Sequence, residues 1–365
     1  MKVAFLESFY GGSHKSFLDG LIKHSTHRIE PFVLPARFWK WRLRCAGLYF
    51  AEELEGIIRN YDLVIASDLM NLAEFKSLVG YDGPCIHFLH ENQLTYPLPE
   101  NDRGEMHFGF VNLVSAMVAD LNIFNSEYHY RKFEQALPKF VNNIPEFVPL
   151  NSLGRVLKKS RVMHLGCDFD SFGKPAPPQN RVPVILWSHR WGFDKQPDVF
   201  FRVLYELAEL GLDFKVILIG ENFQVHPKAF IEARERLGKR IIQFGFVDAH
   251  EDYVRYLKMS DIIVSTAIQE NFGYSVVEAS YSQTLPLLPD RLCYPEILGK
   301  SFHQDFLYRD ERDLKNKLIE LLKNHRKLDN ARQKISQSME RFHWKIRGPE
   351  FDQVFEEVVS QHTGN

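Results

Sequence analysis

The fold is decided by the segment IIVSTAIQENFGYSVVE, residues 262–278 of a chain of 365 residues. Its first six residues form a short apolar run that predicts a buried strand, and the stretch from Gly273 onwards predicts a helix. A polar turn that contains glycine joins the two. The same alternation of apolar runs and amphipathic stretches recurs along most of the chain, and it predicts an α/β fold with parallel strands.

The alternation of strands and helices occurs in two series. The first series has strands near residues 3–7, 63–67, 85–90 and 121–126, and the second has strands near 182–188, 214–220, 241–247, 262–267 and 285–288. Between them, residues 170–183 contain four prolines and no apolar period, which is typical of a linker. We therefore predict a Rossmann-like domain at 1–169, a linker at 170–183, a second Rossmann-like domain at 184–340, and a helix at 341–365 that packs back on the first domain.

Charge and composition limit the classes of partner. The chain has 45 Lys and Arg against 47 Asp and Glu, so it is not a globally basic nucleic-acid-binding protein. A hydrophobic content of 45% and a charged content of 25% are typical of a globular chain and exclude wholesale disorder. Aromatic residues are abundant, with 30 Phe, 14 Tyr and 5 Trp. Because the total charge is nearly balanced, any contact with a nucleic acid must be confined to a local basic region.

Cysteine spacing and hydropathy predict the compartment. The four cysteines lie far apart and form no C-x-x-C motif, which argues against a zinc knuckle or a disulfide framework. Reduced thiols of this kind suit the cytoplasm. The N-terminus lacks the apolar core of a secretory signal, and no run of about 18 apolar residues predicts a membrane span. We expect a cytoplasmic protein with no membrane partner.

Polar residues follow the predicted strands, where ligands bind in open α/β sheets. The most specific group is Glu270 to Glu278, at a turn from strand to helix. If Phe272 or Gly273 begins the helix, its positive end suits a diphosphate, and the two carboxylates are then best interpreted as ligands of sugar or ribose hydroxyls. The alternative is a capping acid followed by a solvated helix glutamate.

Two further groups follow the first strand of each predicted domain. Arg190 and Lys195 have the chemistry to reach phosphates, although two surface cations in a loop are the alternative. Gly12 permits close approach of a backbone to a ligand, and Ser13 can cap the following helix. The stretch is not G-x-G-x-x-G, so a dinucleotide-binding fold is only weakly supported.

His90 follows the strand at 85–90 and is the best candidate for a group at the reacting centre. A neutral imidazole there can bond a sugar hydroxyl, and the alternative is a structural histidine at a strand end. His87 lies on the opposite strand face from His90, which argues against a shared metal. Asp168 and Asp170 form a D-x-D sequence that can hold a metal, but their place before the linker favours a loop role.

Two stretches are locally basic. Residues 37–44 hold four cations, three aromatics and no acid, a mixture expected where phosphates are bound and unstacked bases lie on rings. Residues 323–347 are rich in Lys and Arg. The alternative for both stretches is an amphipathic helix with its aromatics in the core, and for the second stretch we favour that alternative.

These motifs resemble known enzymes. The second half, through Glu270 to Glu278, Arg190 with Lys195, and residues 164–172, resembles a family 4 retaining glycosyltransferase with GT-B architecture, in which two Rossmann-like doubly wound domains face a central cleft. The first half is more particular. Its segments FYGGSHK (9–15), LPA (34–36) with Trp39 and Trp41-Arg42, FLHENQL (88–94), VAD (118–120) and FNS (124–126) resemble the tRNA-queuosine mannosyltransferase family.

The resemblance implies a transfer of mannose from GDP-mannose, with retention, to queuosine at the wobble position of a tRNA anticodon. It also implies that the first domain lies on the acceptor side, that the second binds the donor, and that no metal or other cofactor is required. The implied catalytic residues are His90 and Glu270. The implied donor-binding residues are Gly12, Arg190, Lys195, Gly220, Glu270, Asn271, Phe272, Gly273, Tyr274 and Glu278. The expected acceptor- and tRNA-binding residues are Ser13, His14, Arg37, Trp39, Lys40, Trp41, Arg42, Arg44, Glu91 and Asn92.

Two other functions remain open from the sequence. The first is a GT-B glycosyltransferase or nucleotide-sugar epimerase that acts on a small metabolite or glycan, and the basic-aromatic stretch at 37–44 is the feature that distinguishes it. The second is a non-catalytic RNA-binding protein on a transferase scaffold. Retention of Arg190, Lys195, Glu270 and Glu278 disfavours the second.

Overall fold

The computed structural model describes residues 1–97, 106–221 and 228–364. The chain divides into two compact units. Unit 1 comprises Met1–Cys167 and Phe342–Asn365, and unit 2 comprises Asp168–Arg341. Unit 1 is therefore discontinuous, because its C-terminal segment follows the whole of unit 2 in the sequence.

Unit 1 contains a six-stranded sheet among its described residues, in the order β2-β1-β3-β4-β5-β6, and every pair is parallel. The first five strands have the order of a flavodoxin-like sheet, with a topological switch point between β1 and β3. The strands are β1 (Lys2–Tyr10), β2 (Arg28–Pro35), β3 (Leu63–Ser67), β4 (Cys85–Leu89), β5 (Leu121–Phe124) and β6 (Ser160–Val162).

Helices connect these strands, as parallel pairing requires. Their buried faces pack on the sheet, with Phe17 of the first helix and Phe50 of the second almost inaccessible. The helices are α1 (Gly12–His24), α2 (Trp39–Leu54), α3 (Leu72–Val79), α4 (Met106–Val118), α5 (Glu127–Val141) and α6 (Leu150–Lys158).

Unit 2 contains a second six-stranded sheet in its described part, in the order β12-β11-β10-β7-β8-β9, again with parallel pairs. This order is that of a dinucleotide-binding Rossmann sheet, with its switch point between β7 and β10. The strands are β7 (Val184–Ser188), β8 (Lys215–Ile219), β9 (Ile241–Gly245), β10 (Ile262–Val264), β11 (Leu285–Pro289) and β12 (Leu307–Tyr308).

The helices of unit 2 surround this sheet. They are α7 (Pro197–Glu209), α8 (Lys228–Leu237), α9 (His250–Met259), α10 (Tyr274–Tyr281), α11 (Tyr294–Leu298), α12 (His303–Phe306), α13 (Glu311–Asn324) and α14 (Asp329–Met339). Every residue of the interior strands β7 and β11 is buried, as expected where helices cover both faces of a sheet. The predicted α/β class with two Rossmann-like units is confirmed.

The last helix, α15 (Trp344–Thr363), packs on α1 within unit 1. Trp344 is 1% exposed and its ring lies 5.7 Å from that of Phe17. A Cβ atom on Gly20 would lie 2.1 Å from this indole, and one on Gly166 would lie 2.2 Å from it. Both glycines therefore make room for Trp344. The carboxylate of Asp352 accepts hydrogen bonds from Ser25 and Thr26 just after α1.

The segment predicted as a linker, residues 170–183, lies in unit 2. Asn180 donates from Nδ2 to Asp261 Oδ2 at 2.8 Å, and Asp261 also accepts the backbone N–H of Val184. At the start of the segment Phe169 stacks on Tyr281 with ring centroids 3.8 Å apart. Asp168 directly precedes the 3-10 turn Phe169–Phe172, and Asp170 lies within it. These contacts attach the segment to the second unit.

Three strands were not predicted from the sequence. The strand β2 is an edge strand with alternating exposure, and β6 and β12 have three and two residues. The sequence pattern at 227–238 predicts a helix, and α8 lies there, although residue 227 is outside the described residues. Asn222, one of the polar residues that follow the predicted strand at 214–220, lies outside them as well. Within the described ranges no helix is long and apolar enough to cross a membrane.

Candidate active site

Lys195 lies beside the switch point of unit 2, at the end of a 3-10 turn that follows β7. Only 8% of the residue is exposed. Its Nζ donates to the carbonyl of Gln269 at 2.6 Å and to Glu270 Oε2 at 3.2 Å, and it lies 3.4 Å from Asp194 Oδ2. Burial lowers the pKa of Lys195, but the two carboxylates outweigh it and raise the pKa above its ordinary value. The site therefore holds a permanent buried cation.

Glu270 caps the turn before α10. Its Oε1 accepts the backbone N–H groups of Asn271 and Gly273, at 3.2 and 3.1 Å. Burial raises the pKa of Glu270, but Lys195 and His189 outweigh that effect and leave the pKa below its ordinary value. Gly273 has a φ of 82°, in the region that favours glycine. This backbone turn places the N-terminus of α10 next to a carboxylate that is already bonded.

Arg190 forms an ion pair with Asp194. The distance from Nη2 to Oδ1 is 2.9 Å, and the guanidinium is 44% exposed while the carboxylate is 1% exposed. Asp194 thus joins the exposed arginine to the buried Lys195. Gly220, predicted to bind the donor, lies after β8, where a Cβ atom would come within 1.8 Å of the carbonyl oxygen of His189. Only glycine allows the ends of β7 and β8 to approach this closely.

Glu278 lies one turn inside α10 and is half-buried. Its Oε2 accepts a hydrogen bond from the hydroxyl of Tyr253 at 2.7 Å. Burial raises the pKa of Glu278 to about 7, against the lowering effect of that hydroxyl. A carboxyl group in this state can accept or donate a hydrogen bond near neutral pH, which suits the recognition of ribose hydroxyls.

The remaining predicted donor residues follow Glu270 directly. Asn271 is 8% exposed, and its Oδ1 lies 3.4 Å from Gln269 Nε2. Phe272 is 2% exposed, and Tyr274 packs against its ring with centroids 5.2 Å apart. The structure thus brings the predicted residues at 270–274 and Lys195 together at one edge of the sheet.

In unit 1, the corresponding edge holds a buried histidine pair. His14 lies in the first turn of α1, and its Nδ1 is 3.1 Å from Oε2 of Glu7. The rings of His14 and His90 lie with their centroids 4.0 Å apart and a tilt of 31°. Burial lowers the pKa of His14, but Glu7 outweighs it and the pKa is raised to about 9. Burial and the His14 charge lower the pKa of His90 well below its ordinary value.

The backbone of His90 is fixed from both sides. Asp68, directly after β3, accepts its N–H at 3.0 Å, and Asn125, directly after β5, donates to its carbonyl at 3.0 Å. Burial raises the pKa of Asp68, with a further contribution from Glu91. His90 is therefore held by the ends of the two strands that flank β4.

The next two predicted acceptor residues have mixed surroundings. Glu91 accepts a hydrogen bond from Gln93 Nε2 at 3.1 Å. Asn92 is 1% exposed, and its Oδ1 accepts the backbone N–H groups of Leu94 and Thr95. The Asn92 side chain thus forms the turn that follows β4, and its Nδ2 is buried without a partner among the described residues.

Side-chain atoms of Glu7, His14 and His90 lie within 4.8 Å of one another, a spacing that suits a metal ion. Within the described part of the chain, however, the oxygens of Glu7 already accept bonds from Phe9 N–H, Ser67 Oγ and His14 Nδ1. We therefore interpret the group as an ion pair beside a second imidazole.

Gly12 and Ser13 begin α1. Gly12 has a φ of 51°, and a Cβ atom there would meet nothing within 4 Å. The space beside Gly12 is therefore open in the direction of a Cβ atom. Gly11 has a different role, because a Cβ atom on it would lie 2.4 Å from that of Ala36. Ser13 is exposed and does not cap α1, whose cap is Gly11.

The predicted basic-aromatic stretch at 37–44 spans the start of α2. Trp39 is partly buried and joins a small apolar cluster with Leu43 and Phe108. Trp41 and Phe38 are 61% and 68% exposed, and Phe38 has a φ of 55°. One aromatic of the stretch therefore belongs to the core and two face solvent.

The cations of this stretch surround the rings. The guanidinium of Arg44 lies 4.9 Å from the Phe108 ring and 5.6 Å from the Trp41 ring. Lys40 lies over Trp39 at 5.6 Å, and Arg42 donates to the carbonyl of Pro35. Arg37 is exposed. The second basic stretch is structural in part, since Arg332 is 1% exposed and bonds Asp261.

Sequence reasoning assigned no role to three residues that the structure places in these groups. Glu7 follows an apolar run in β1, and only its contact with His14 shows that it belongs to the site. Tyr253 is one aromatic of an ordinary amphipathic helix. His189 follows β7 directly and is 6% exposed, and burial lowers its pKa to about 4, with Lys195 adding to the effect. Its position after the strand was the one available signal.

Comparisons with known proteins agree with this organisation. Residues 2–167 match the family described as tRNA-queuosine alpha-mannosyltransferase N-terminal, and residues 168–340 match Glycosyl transferases group 1. The chain is 31% identical to the tRNA-queuosine alpha-mannosyltransferase of Drosophila melanogaster over 372 aligned positions. That alignment covers 98% of this chain and 97% of the relative.

Solved structures show the same fold. The sucrose-phosphate synthase of Thermosynechococcus elongatus has a TM-score of 0.75 at 13% identity and covers 99% of both chains. HepE of Anabaena, solved with UDP-glucose, has a TM-score of 0.72 at 17% identity and covers 99% of this chain and all of that one. These likenesses confirm the predicted GT-B fold class. With a full-length relative and both halves matched, the chain belongs to the tRNA-queuosine alpha-mannosyltransferase family of glycosyltransferases.

Proposed function

We propose that this enzyme transfers mannose from GDP-mannose, with retention, to queuosine at the wobble position of a tRNA anticodon. The observation that carries the proposal is the buried Lys195 ammonium, bonded to Glu270 at the switch point of unit 2. A buried cation beside a helix N-terminus is suited to a diphosphate leaving group. Family membership supports the tRNA acceptor and the mannosyl group.

The donor is assigned to unit 2. Lys195 and Arg190 neutralise the diphosphate, and the N-terminus of α10 adds the backbone N–H groups of its first turn. Glu270 accepts hydrogen bonds from hydroxyls of the sugar, and Glu278 binds the ribose. Because two cations and a helix end supply positive charge at the leaving group, the proposed mechanism needs no metal.

Retention is assigned to a front-face reaction. In this mechanism the acceptor hydroxyl attacks on the side from which the diphosphate departs, and the leaving phosphate oxygen takes the hydroxyl proton. No protein nucleophile is then required. His90, neutral at physiological pH, lies at the reacting centre and bonds a hydroxyl of a substrate.

The acceptor is assigned to unit 1. The exposed rings of Phe38 and Trp41, with the cations around them, have the chemistry to bind unstacked bases and phosphates of an anticodon loop. Ser13, His14, Glu91 and Asn92 are assigned to the acceptor side of the site. A tRNA substrate and reduced cysteines are consistent with action in the cytoplasm, which we include in the proposal.

The proposal is tested with a panel of sugar nucleotides. The enzyme is incubated with queuosine-containing tRNA and one donor at a time: GDP-mannose, GDP-glucose, UDP-glucose or UDP-galactose. The tRNA is then digested, and its nucleosides are analysed by mass spectrometry. We expect the queuosine nucleoside to gain one hexose when the donor is GDP-mannose, and none with the other three donors. Equal transfer from a UDP-sugar would overturn the assignment of the donor, and transfer to a free glycan instead of tRNA would favour the alternative acceptor.

A further inference from the structure

Glu7 has an acidic side chain with no exposed surface, and it directly follows the apolar residues 3–6 of strand β1. A buried carboxylate is costly unless hydrogen bonds satisfy its oxygens. Here Oε1 accepts from Phe9 N–H at 2.8 Å and from Ser67 Oγ at 3.0 Å, and Oε2 lies 3.1 Å from Nδ1 of His14. Glu7 is thus fixed to the sheet on one oxygen and to His14 on the other.

His14 occupies a position that disfavours a cation. It lies in the first turn of α1, where the helix dipole is positive, and it is buried. Glu7 reverses both effects, because its carboxylate contacts the ring directly and raises the pKa of His14 to about 9. The ion pair with Glu7 therefore keeps His14 protonated, although burial and the helix dipole both favour the neutral ring.

His90 is the second partner of His14. Two imidazolium rings with centroids 4.0 Å apart would repel each other, so one positive ring keeps the other neutral. Other charged and titratable groups face the pair from the neighbouring elements. These are Asp68 after β3, Glu91 after β4 and His129 on α5. The rings of Phe17 and Phe88, which carry no charge, also contact His90.

We propose that Glu7 is a positioning residue that holds His14 as an imidazolium against a neutral His90, so that His14 binds a phosphate oxygen of a substrate. Glu7 occupies Nδ1 of His14, which leaves Nε2–H as the donor to that oxygen. This inference rests on the proposed function. The phosphate belongs either to the sugar nucleotide or to the tRNA backbone, and binding measurements with GDP and with tRNA distinguish the two sources.

The first test is the pH profile of Glu7→Gln. A glutamine at position 7 keeps the acceptor for Phe9 and Ser67 but removes the charge that holds the proton on His14. In the native enzyme we expect kcat/KM to fall as the pH rises through about 9, the pKa to which Glu7 raises His14. In the variant we expect that fall below neutral pH, with activity at pH 7.5 reduced about tenfold or more and partly recovered in acid. An unchanged profile would overturn the proposal.

A matched control is Glu30→Gln. Glu30 lies on β2 beside β1 and contacts Lys2, so the same substitution there leaves the pH profile unchanged. His14→Gln provides a second variant. Alone it leaves the Glu7 carboxylate buried without its cation, so we expect a lower melting temperature than in the double variant Glu7→Gln/His14→Gln.

The second test does not use activity. With 13C-labelled histidine, the resonance that disappears in His14→Gln should titrate near pH 9 in the native protein and below its ordinary midpoint in Glu7→Gln. A native midpoint at or below the ordinary value would overturn the inference, even in an active enzyme. If the native protein fails to modify queuosine-tRNA while His14 titrates near 9, the proposed function fails and the ion pair stands.

A metal would produce a different result. If EDTA abolishes native activity and Zn²⁺ or Mn²⁺ restores it, and if Glu7→Gln loses that restoration, the cluster is a metal site and the ion-pair proposal is wrong. We expect activity to be independent of EDTA and of both ions.

Discussion

Glu270 has two contacts that a substitution can separate, because one oxygen caps the turn before α10 and the other pairs with Lys195. In Glu270→Gln the amide oxygen can keep the cap while the ion pair is lost. We expect kcat/KM for transfer to fall about a hundredfold or more, since charge at the leaving group is no longer fixed in place. Steady-state kinetics with GDP-mannose and queuosine-tRNA measures this.

The control for that substitution is Glu311→Gln, which removes an exposed ion pair with Arg202 in the same unit. An exposed pair contributes little, so its loss leaves turnover and the melting temperature nearly unchanged. Lys195→Ala tests the other partner and should lose transfer while unit 2 keeps its fold. Native turnover in both Glu270→Gln and Lys195→Ala would show that the site is elsewhere.

Glu278 gives the stability of unit 2 a predictable pH dependence. Burial raises the folded pKa to about 7 from 4.5, so ionisation of the carboxyl disfavours the folded state as the pH rises from 4.5 through 7. Glu278→Gln removes this cost. We expect the ligand-free variant to be more stable than the native protein at pH 8, by on the order of 1–2 kcal/mol for a half-buried group, and not at pH 4.5.

Chemical denaturation at the two pH values measures this difference. The neighbouring Tyr253 hydroxyl can still donate to a glutamine oxygen, so the comparison isolates the charge. If the stabilisation were the same at both pH values, packing rather than ionisation would explain it, and the assignment of Glu278 as a group that titrates near neutrality would be wrong.

At the scale of the element, α2 separates packing from recognition. Trp39 packs on Phe108, whereas Trp41 is 61% exposed two residues later. We expect Trp39→Ala to destabilise unit 1 by about 2 kcal/mol or more, and Trp41→Ala to change stability by less than about 0.5 kcal/mol. For tRNA binding the order is reversed, because only an exposed ring can stack on a base.

Filter binding across a salt series measures the tRNA contribution of α2. Replacing Arg37 and Lys40 with serine should weaken binding and reduce the slope of log K against log salt, because fewer phosphates are neutralised. Unaltered tRNA affinity in Trp41→Ala and in the serine variant together would remove α2 from the interface.

The sequence predicts the strands whose residues are all buried, and it is weaker where the pattern is mixed. The apolar runs at β3, β4 and β7 are recognised directly as strands. The edge strand β2 has alternating exposure and β12 has only two residues, so neither gives a clear signal. The rule that ligands bind at strand ends places His14, Asp68 and His90 at one edge of unit 1. It does not reveal Glu7, because a contact between β1 and α1 depends on the angle at which the helix returns.

Helical periodicity alone also leaves α2 undecided. Residues 37–44 alternate cations and rings, so Trp39 and Trp41 are equally good candidates for the core. The structure separates them, because the start of α2 at Trp39 turns this ring towards Phe108. Similarly, Gly220 is recognisable as a strand-end glycine, but only the approach of His189 explains why no other residue fits.

At the scale of the whole molecule, unit 1 depends on the last helix of the chain. Trp344 on α15 fills the space left by Gly20 and Gly166, and its ring stacks on His24. Trp344→Ala should destabilise unit 1 by about 3–5 kcal/mol, because a large buried ring is replaced by a cavity. Unit 2 has its own core and should keep its stability.

Hydrogen exchange followed by mass spectrometry measures the two units separately. In Trp344→Ala we expect faster exchange in α1 and β1 and native protection in β7 and α7. Trp41→Ala is the control for the loss of an exposed indole. Equal loss of protection in both units would contradict the division of the chain into two cores.

The central claim, that the enzyme mannosylates queuosine in tRNA, is tested most directly with two matched acceptors. One is a tRNA with queuosine at the wobble position, and the other is the same tRNA with an unmodified guanosine at that position. Each is incubated with the enzyme and GDP-mannose, and the digested nucleosides are analysed by mass. We predict one added hexose on the queuosine nucleoside and none on the guanine control. No added hexose, or equal addition to both tRNAs, would contradict the account.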